Sequence, residues 1–222
     1  MTRPLIIAID GPSGAGKSTL GRMLARELGL LYIDTGSMYR AVALAVLEST
    51  VNETDDVAVG SLAQRIDIDL AGDPDSLRVT LDGRDVSERI RDEDVTHMSS
   101  IISTIPAVRR TMVERQRELG KRGAVMNGRD IGTVVFPDAD VKFFLDAVPE
   151  ERAERRLAEE REINPAATYD QTFADLTQRD QRDTTRADSP LMAAEDAIVI
   201  DSTGQSVDEV FQRMMSEVEK RR

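Results

Sequence analysis

The segment GPSGAGKST at 11–19 places Gly11, Gly16, Lys17 and Ser18 at the spacing G-x-x-x-x-G-K-[ST]. Gly11, Gly14 and Gly16 allow backbone conformations and close approaches that a Cβ forbids. Successive backbone N–H groups of such a loop make an anion cradle, helped by the N-terminus of the helix that follows. The candidate polyphosphate-binding residues are therefore Gly11, Pro12, Ser13, Gly14, Ala15, Gly16, Lys17, Ser18 and Thr19. Lys17 supplies a point charge to the β- and γ-phosphates, and the Ser18 hydroxyl is a ligand for Mg²⁺. The pattern gives nucleoside triphosphate binding. It does not give the reaction, which GTPases, motors and small-molecule kinases on this loop do not share.

Three further clusters bear on the reaction. DTGSMYR (34–40) offers Asp34, the Thr35 hydroxyl, the Gly36 backbone and Arg40. NGRD (127–130) offers Arg129 and Asp130 on a glycine-led turn. In RDQRDTTR (179–186), Arg179, Asp183 and Arg186 recur at i, i+4 and i+7 and share one helix face. Spacing alone leaves that last cluster as a salt-bridged surface stripe, and Arg40 as a surface arginine. Chemistry separates the readings. A hydroxyl acceptor calls for a general base. A phosphate monoester does not, because with a second pKa of about 6 it is already nucleophilic near neutral pH. Two anionic partners must then be drawn together, which calls for several arginines and Mg²⁺ rather than histidine. Arg40, Arg129, Arg179 and Arg186 meet that need.

These residues must be positioned by a scaffold, and the hydrophobic pattern supplies one. LIIAID (5–10), LLYID (30–34), AVMNG (124–128), VKFFLDA (141–147) and AIVIDS (197–202) read as short buried strands. The segments between them read as helices. One carries Leu20, Met23, Leu24 and Leu28 and stops at Gly29. Another carries Met38, Val42, Ala45 and Val46 on one side. The last presents Val207, Val210, Phe211, Met214 and Val218 and opens with the capping box Ser206-x-x-Glu209. Alternating apolar strands and helices imply an α/β fold, a parallel sheet covered on both faces. The clusters then fall at strand carboxyl ends, where open α/β sheets bind ligands. Asp34 is expected beside the first strand. Two alternating runs around Gly72–Ser76 predict an antiparallel hairpin inside an insertion at about 60–100. ERAERRLAEERE (151–162) pairs Glu151/Arg155, Arg155/Glu159 and Arg156/Glu160 at i,i+4, the pattern of a solvated helix.

Composition narrows the function further. The 222 residues include 29 Lys and Arg against 41 Asp and Glu, a net charge of −12, which disfavours non-specific nucleic-acid binding. The charge is uneven: 48–96 carry 14 acids and 5 bases, whereas 109–129 carry 7 bases and 2 acids, so a basic site fits within an acidic chain. There is no cysteine and one histidine, His97, which excludes thiolate chemistry and a His-based metal cluster. No apolar run approaches the ~20 residues of a membrane span, and the start reads as neither a signal nor a transit peptide. A cytoplasmic monomer with small-molecule partners is expected.

In this order, GPSGAGKST, DTGSMYR, NGRD with IGTVVFPDA behind it, and RDQRDTTRADSPL resemble the bacterial cytidylate kinases, a family of P-loop nucleoside monophosphate kinases. The resemblance spans about residues 4–218. It implies transfer of the γ-phosphate of Mg·ATP to CMP or dCMP. It also implies a P-loop NTPase-type sheet of five parallel strands flanked by helices, a monophosphate-binding insertion at about 60–100, and a helical lid at about 150–165. Arg155 and Arg156 on that lid become candidates to close over ATP, in competition with their helical ion pairs. Carried over by position, Arg40, Arg129 and Arg186 clamp the acceptor phosphate beside Thr35. Ser100, Arg109 and Asp130 read cytosine, and Arg179 and Asp183 contact the ribose. Lys17, Arg129, Arg186, Arg155 and Arg156 form the implied catalytic set. A carboxylate at Asp130 suits the exocyclic amine of cytosine and repels the uracil carbonyl. Two positions depart from the family pattern: Asn127 stands where an aspartate is usual, and Ser37 where alanine is usual. His97 is read as structural. The alternatives are a kinase of the same fold acting on UMP, shikimate or gluconate, or a regulatory NTP-binding module. A GTPase is disfavoured by the lack of an N-K-x-D signature, and a nucleic-acid-dependent ATPase by having only 8 aromatic residues, 5 Phe and 3 Tyr.

Overall fold

The computed structural model describes residues 4–221; residues 1–3, where the segment read for a leader begins, and 222 lie outside it. Five parallel strands form the main sheet: β1 (Ile6–Asp10), β2 (Leu31–Asp34), β6 (Ala124–Asn127), β7 (Val141–Asp146) and β8 (Ile198–Asp201), in the order β2-β6-β1-β7-β8. Strand β1 is buried at every position, as a central strand covered on both faces requires. Helix α1 (Lys17–Leu28) follows β1 and ends at Gly29, whose φ of 62° makes the left-handed cap expected there. Helix α2 (Thr35–Glu48) follows β2 and is buried almost all round, with Met38, Val42, Ala45 and Val46 in the core.

The sheet order corrects one expectation. Asp34 does not lie beside the first strand, because β6 separates β2 from β1. Asn127 is in register with Ile9 on one side and with Asp34 on the other. The insertion of β6 brings the NGRD turn between the P-loop strand and the strand carrying Asp34, so all three motifs meet at one edge.

The hairpin forms as read. Strands β3 (Ile68–Ala71) and β4 (Arg78–Leu81) pair antiparallel, Ile68 opposite Leu81, and a two-residue β5 (Arg84–Asp85) adds to β4. They sit between α3 (Asp56–Arg65) and α4 (Glu93–Ile102). Isoleucine and leucine of β3 face inward while Asp69 and Ala71 face water, the period of a half-buried strand. Helix α5 (Pro106–Gly120) leads into β6; α6 (Pro149–Ile163) and α7 (Tyr169–Thr185) pack on each other. Helix α8 (Val207–Glu219) closes the sheet with the predicted capping box complete. Its Val210, Met214 and Val218 are buried, but Val207, placed on the same face by spacing, is the first residue of the helix and is 48% exposed. Arg186 likewise falls one residue past α7, as its C-cap with ψ 141°, so the i+7 position is a cap rather than a helical residue. Among the described residues no helix is long and apolar enough to cross a membrane.

Candidate functional site

The glycine-rich loop joins the end of β1 to the start of α1. Gly11 has φ 143°, and a Cβ there would lie 2.0 Å from the Leu145 carbonyl oxygen, so the end of β7 presses on the loop. Gly16 caps α1 with φ 88° and no side chain, and α1 has no acidic residue in its first turn. The helix N-terminus is therefore left without a protein acceptor, as an anion site requires. Lys17 is buried, and its Nζ donates to the Pro12 carbonyl at 2.5 Å. Burial, and then the charges of Arg129 and Arg179, hold its pKa well below the usual lysine value. The Ser18 hydroxyl is exposed and accepts from Asn127 Nδ2 at 3.1 Å; the same amide donates to the Tyr32 hydroxyl at 2.7 Å. Asn127, the departure from the family pattern, thus sits against the candidate metal ligand.

The arginines converge beside this loop. Asp34 caps α2, accepting from the Gly36 N–H at 3.0 Å and the Ser37 hydroxyl at 2.7 Å, and pairs with Arg40 at 3.0 Å. Burial works against its charge, but Arg40 and these donors hold the carboxyl below the usual range. Thr35 Oγ1 donates to the Asn127 carbonyl at 2.7 Å, so the first two acceptor-side motifs touch. Arg129 Nε donates to Asp183 at 2.7 Å, and Arg186 Nη1 lies 3.5 Å from the same carboxylate. Burial of Asp183 is outweighed by Arg129, Arg179 and Arg186, and its pKa is lowered. Arg179 makes no hydrogen bond or ion pair with the described residues; burial, and then Arg129, bring its pKa down to about 10.

A second group lies around Asp130. Arg109, only 2% exposed, donates to Asp130 at 2.5 Å and to the Ser103 carbonyl at 3.1 Å, with its guanidinium 5.7 Å from the centre of the Tyr39 ring. Arg186 Nη2 approaches the other Asp130 oxygen at 3.8 Å. Ser100 is buried on α4, and its hydroxyl accepts from Arg182 Nη1 at 2.8 Å. The buried Nε of Arg40, Nε of Arg109 and Nη2 of Arg186 have no acceptor among the described residues. Arg129 and Arg186 thus share Asp183, Arg109 and Arg186 flank Asp130, Arg40 stays with Asp34, and several buried donors of these arginines are without an acceptor among the described residues.

On α6 the predicted candidates are engaged locally. Arg155 pairs with Glu151 and donates to the Ser202 hydroxyl and carbonyl at 3.0 and 2.9 Å; Arg156 pairs with Glu159 and Glu160. Two of the three expected i,i+4 pairs form, while Arg155 leaves Glu159 for the loop after β8. The arginine of this helix that bonds to the P-loop is Arg152, which the sequence reading did not single out. It is buried, donates to the Ser13 carbonyl at 3.0 Å and pairs with Asp180 of α7 at 2.7 Å. Arg182 was missed as well; its spacing from Arg179 and Arg186 places it near their face. Asp10 was missed too; its carboxylate accepts from the Ile131 and Gly132 N–H groups behind the NGRD turn. His97 is far from this chemistry in role: it makes none of the site's hydrogen bonds or ion pairs.

The parallel sheet, the loop and the arginine cluster define a P-loop kinase. The chain belongs to the cytidylate kinase family, whose model matches residues 7–220. It is 50% identical over 222 residues to a cytidylate kinase of Desulforamulus reducens, covering 99% of each chain. It is 46% identical over 218 residues to one of Geobacter sp. M21, covering 98% of this chain and 94% of that one. Among solved structures, shikimate kinase from Bacteroides thetaiotaomicron matches with TM-score 0.50 at 14% identity, over 97% of this chain and 98% of that one, a likeness of fold alone.

Proposed function

We propose that the protein transfers the γ-phosphate of Mg·ATP to CMP or dCMP, giving ADP and CDP or dCDP. The observation that carries the reading is the charge of the site. Among the described residues, Lys17, Arg40, Arg109, Arg129, Arg179 and Arg186 gather about Asp10, Asp34, Asp130 and Asp183, with Asp188 also acting on Arg109, so cations outnumber carboxylates. Burial first, and then neighbouring arginine charge, lowers the pKa of Lys17, Arg179 and Arg186, so the site carries unrelieved positive charge. A monophosphate dianion beside a triphosphate relieves it.

In this reading Lys17 and the loop N–H groups hold the β- and γ-phosphates. Arg40, Arg129 and Arg186, with Thr35, hold the acceptor phosphate in line. Arg179 and Asp183 hold the ribose. No side chain removes a proton, since the attacking oxygen is already anionic. Catalysis is positioning and charge stabilisation. Asp130 accepts from the cytosine amine, Arg109 donates to the base, and Ser100 completes the pocket. The site fits a magnesium ion brought with ATP. Among the described residues there is no group of three or more His, Asp or Glu able to hold a metal by themselves, while Ser18 offers one exposed oxygen. That chemistry suits an ion that keeps its waters and phosphate oxygens. The ion would neutralise charge on the transferred group. The segment 60–100 is assigned as the monophosphate-binding insertion and 150–165 as the lid, with Arg155 and Arg156 free to exchange their glutamates for phosphate oxygens on closure. The nucleotides are the partners proposed, for a monomer in the cytoplasm.

Calorimetric titration tests the acceptor half of the reading. CMP is expected to bind, cytidine to bind at least a hundredfold more weakly for want of the phosphate, and Arg129→Met to bring CMP down to the cytidine level. Equal binding of CMP and cytidine would remove the arginine cluster from acceptor recognition.

A further inference from the structure

Asp10 ends β1, one residue before the P-loop, and only 4% of it is exposed. Its two oxygens accept one backbone N–H each from the loop after the neighbouring strand β6: Ile131 at 2.8 Å and Gly132 at 2.7 Å. These are the first N–H groups of the single π-helical turn Ile131–Val135, which follows directly on Arg129 and Asp130. The opening N–H groups of any helical turn lack partners within it. A side chain just before the turn usually supplies the acceptor. Here Asp130 holds that position and makes no such bond. Asp130 is committed to Arg109 instead, and a residue 120 positions away caps the turn in its place.

Among the described residues no cation lies in hydrogen-bond or ion-pair contact with Asp10, so its charge is held in the interior chiefly by the two amides, with Lys17 adding a weaker attraction from beyond contact. Burial pushes its pKa up to about 6, the amides pulling it down less than burial raises it. A charge so placed is costly to stability, and a neutral side chain of the same shape would cost less. The fold has therefore kept an expensive group where the triphosphate loop and the turn bearing Arg129 and Asp130 come together.

We infer that Asp10 is a positioning residue for phosphoryl transfer: it pins the Arg129–Asp130 turn to the root of the P-loop, setting the acceptor site against the triphosphate site. The inference rests on the reading that Arg129 and Asp130 hold the acceptor. The pin needs a carboxylate because two parallel N–H groups need two acceptor oxygens. An asparagine offers one, and turns an N–H₂ toward the other donor.

The test is Asp10→Asn, with Asp10→Ser as a second variant whose hydroxyl reaches at most one N–H. Three readouts are taken on each: thermal unfolding, equilibrium binding of Mg·ATP alone, and kcat and KM for CMP. The expected result is a melting temperature in Asp10→Asn no lower than the parent's and an ATP affinity within about threefold in both variants, with kcat/KM for CMP down about a hundredfold, the scale of an ångström-sized misplacement. A role confined to stability predicts the opposite, a lowered melting temperature with kcat/KM for CMP retained, and that result overturns the inference. Loss of ATP affinity in proportion to kcat/KM also overturns it, since the loop itself would then have collapsed. Arg129→Met is measured in parallel. If it leaves KM for CMP unchanged, the acceptor reading fails. If it raises KM while both Asp10 variants behave as the parent, the acceptor reading stands and the role of Asp10 does not.

Discussion

Replacing Asp130 separates two things that the same carboxylate does. It partners Arg109 at 2.5 Å, with side-chain exposures of 8% and 2%, and it is assigned to the cytosine amine. Asp130→Ala leaves the Arg109 guanidinium buried without its counter-charge, a loss of about 3–5 kcal/mol in unfolding free energy. Asp130→Asn keeps the shape and one acceptor for Arg109, so the loss falls to about 1–3 kcal/mol. The base contact is read independently of either figure. Taking kcat/KM for CMP over that for UMP on one preparation cancels the fraction of folded enzyme. A single base contact is worth about 1–3 kcal/mol, so the ratio should drop about 5- to 150-fold in Asp130→Asn. The asparagine amide can also turn to donate to the uracil carbonyl, which pushes the ratio the same way. Urea denaturation at pH 7 and initial rates on both acceptors suffice. A CMP/UMP ratio equal to the parent's in Asp130→Asn would refute the assignment of the base contact. A loss under about 0.5 kcal/mol in Asp130→Ala would refute the argument from burial.

Other consequences follow from the same geometry. Lys17 has a depressed pKa in the free protein, and bound phosphates raise it, so ATP binding should take up protons in alkaline buffer. Calorimetry in buffers of different ionisation enthalpy reads the uptake; binding enthalpies independent of the buffer, or proton release, contradict it. Asp10, raised to about 6, should titrate near that value in a carboxyl ¹³C spectrum, its resonance identified by its absence from Asp10→Asn. Because the folded pKa lies above the unfolded one, its contribution favours folding below about pH 4 and is lost as pH rises to about 6, leaving a cost of roughly 3 kcal/mol at neutral pH. Relative to Asp10→Asn, the parent should therefore lose stability between pH 4 and 6; a parallel pair of pH–stability curves contradicts this. Arg152→Ala should strip Asp180 and the Ser13 carbonyl of a shared donor. It is expected to cost about 1–3 kcal/mol in urea unfolding and to raise KM for ATP more than KM for CMP; the reverse order of KM effects counts against a link through the P-loop.

Much of this was legible in the sequence, and the parts that were not have a common physical cause. Short apolar runs announce strands, so all five parallel strands and the hairpin could be read. Periodicity carries no information about which strands are neighbours, so the insertion of β6 between β1 and β2 could not. The P-loop was legible because its glycines and lysine are fixed by spacing along the chain. Arg152 and Arg182 were not, because in charge-dense helices a buried arginine and a solvated one have the same sequence context. Arg109 did leave a trace. Val108, Met112, Val113 and Gln116 are buried along one stripe of α5, with Ile105 buried at its cap, and Arg109 occupies that stripe. An arginine on an apolar face demands a buried partner, and Asp130 is it. Asp10 looked like the polar end of an apolar strand; only the tertiary fold brings the Ile131 and Gly132 amides to it.

The central claim is a transfer between two nucleotides, and ADP release from Mg·ATP with CMP, dCMP, UMP, AMP, GMP or no acceptor tests it most directly. Turnover with CMP and dCMP well above UMP, and close to none without an acceptor, is the predicted result. ATP binding with no turnover on any member of the panel contradicts the account.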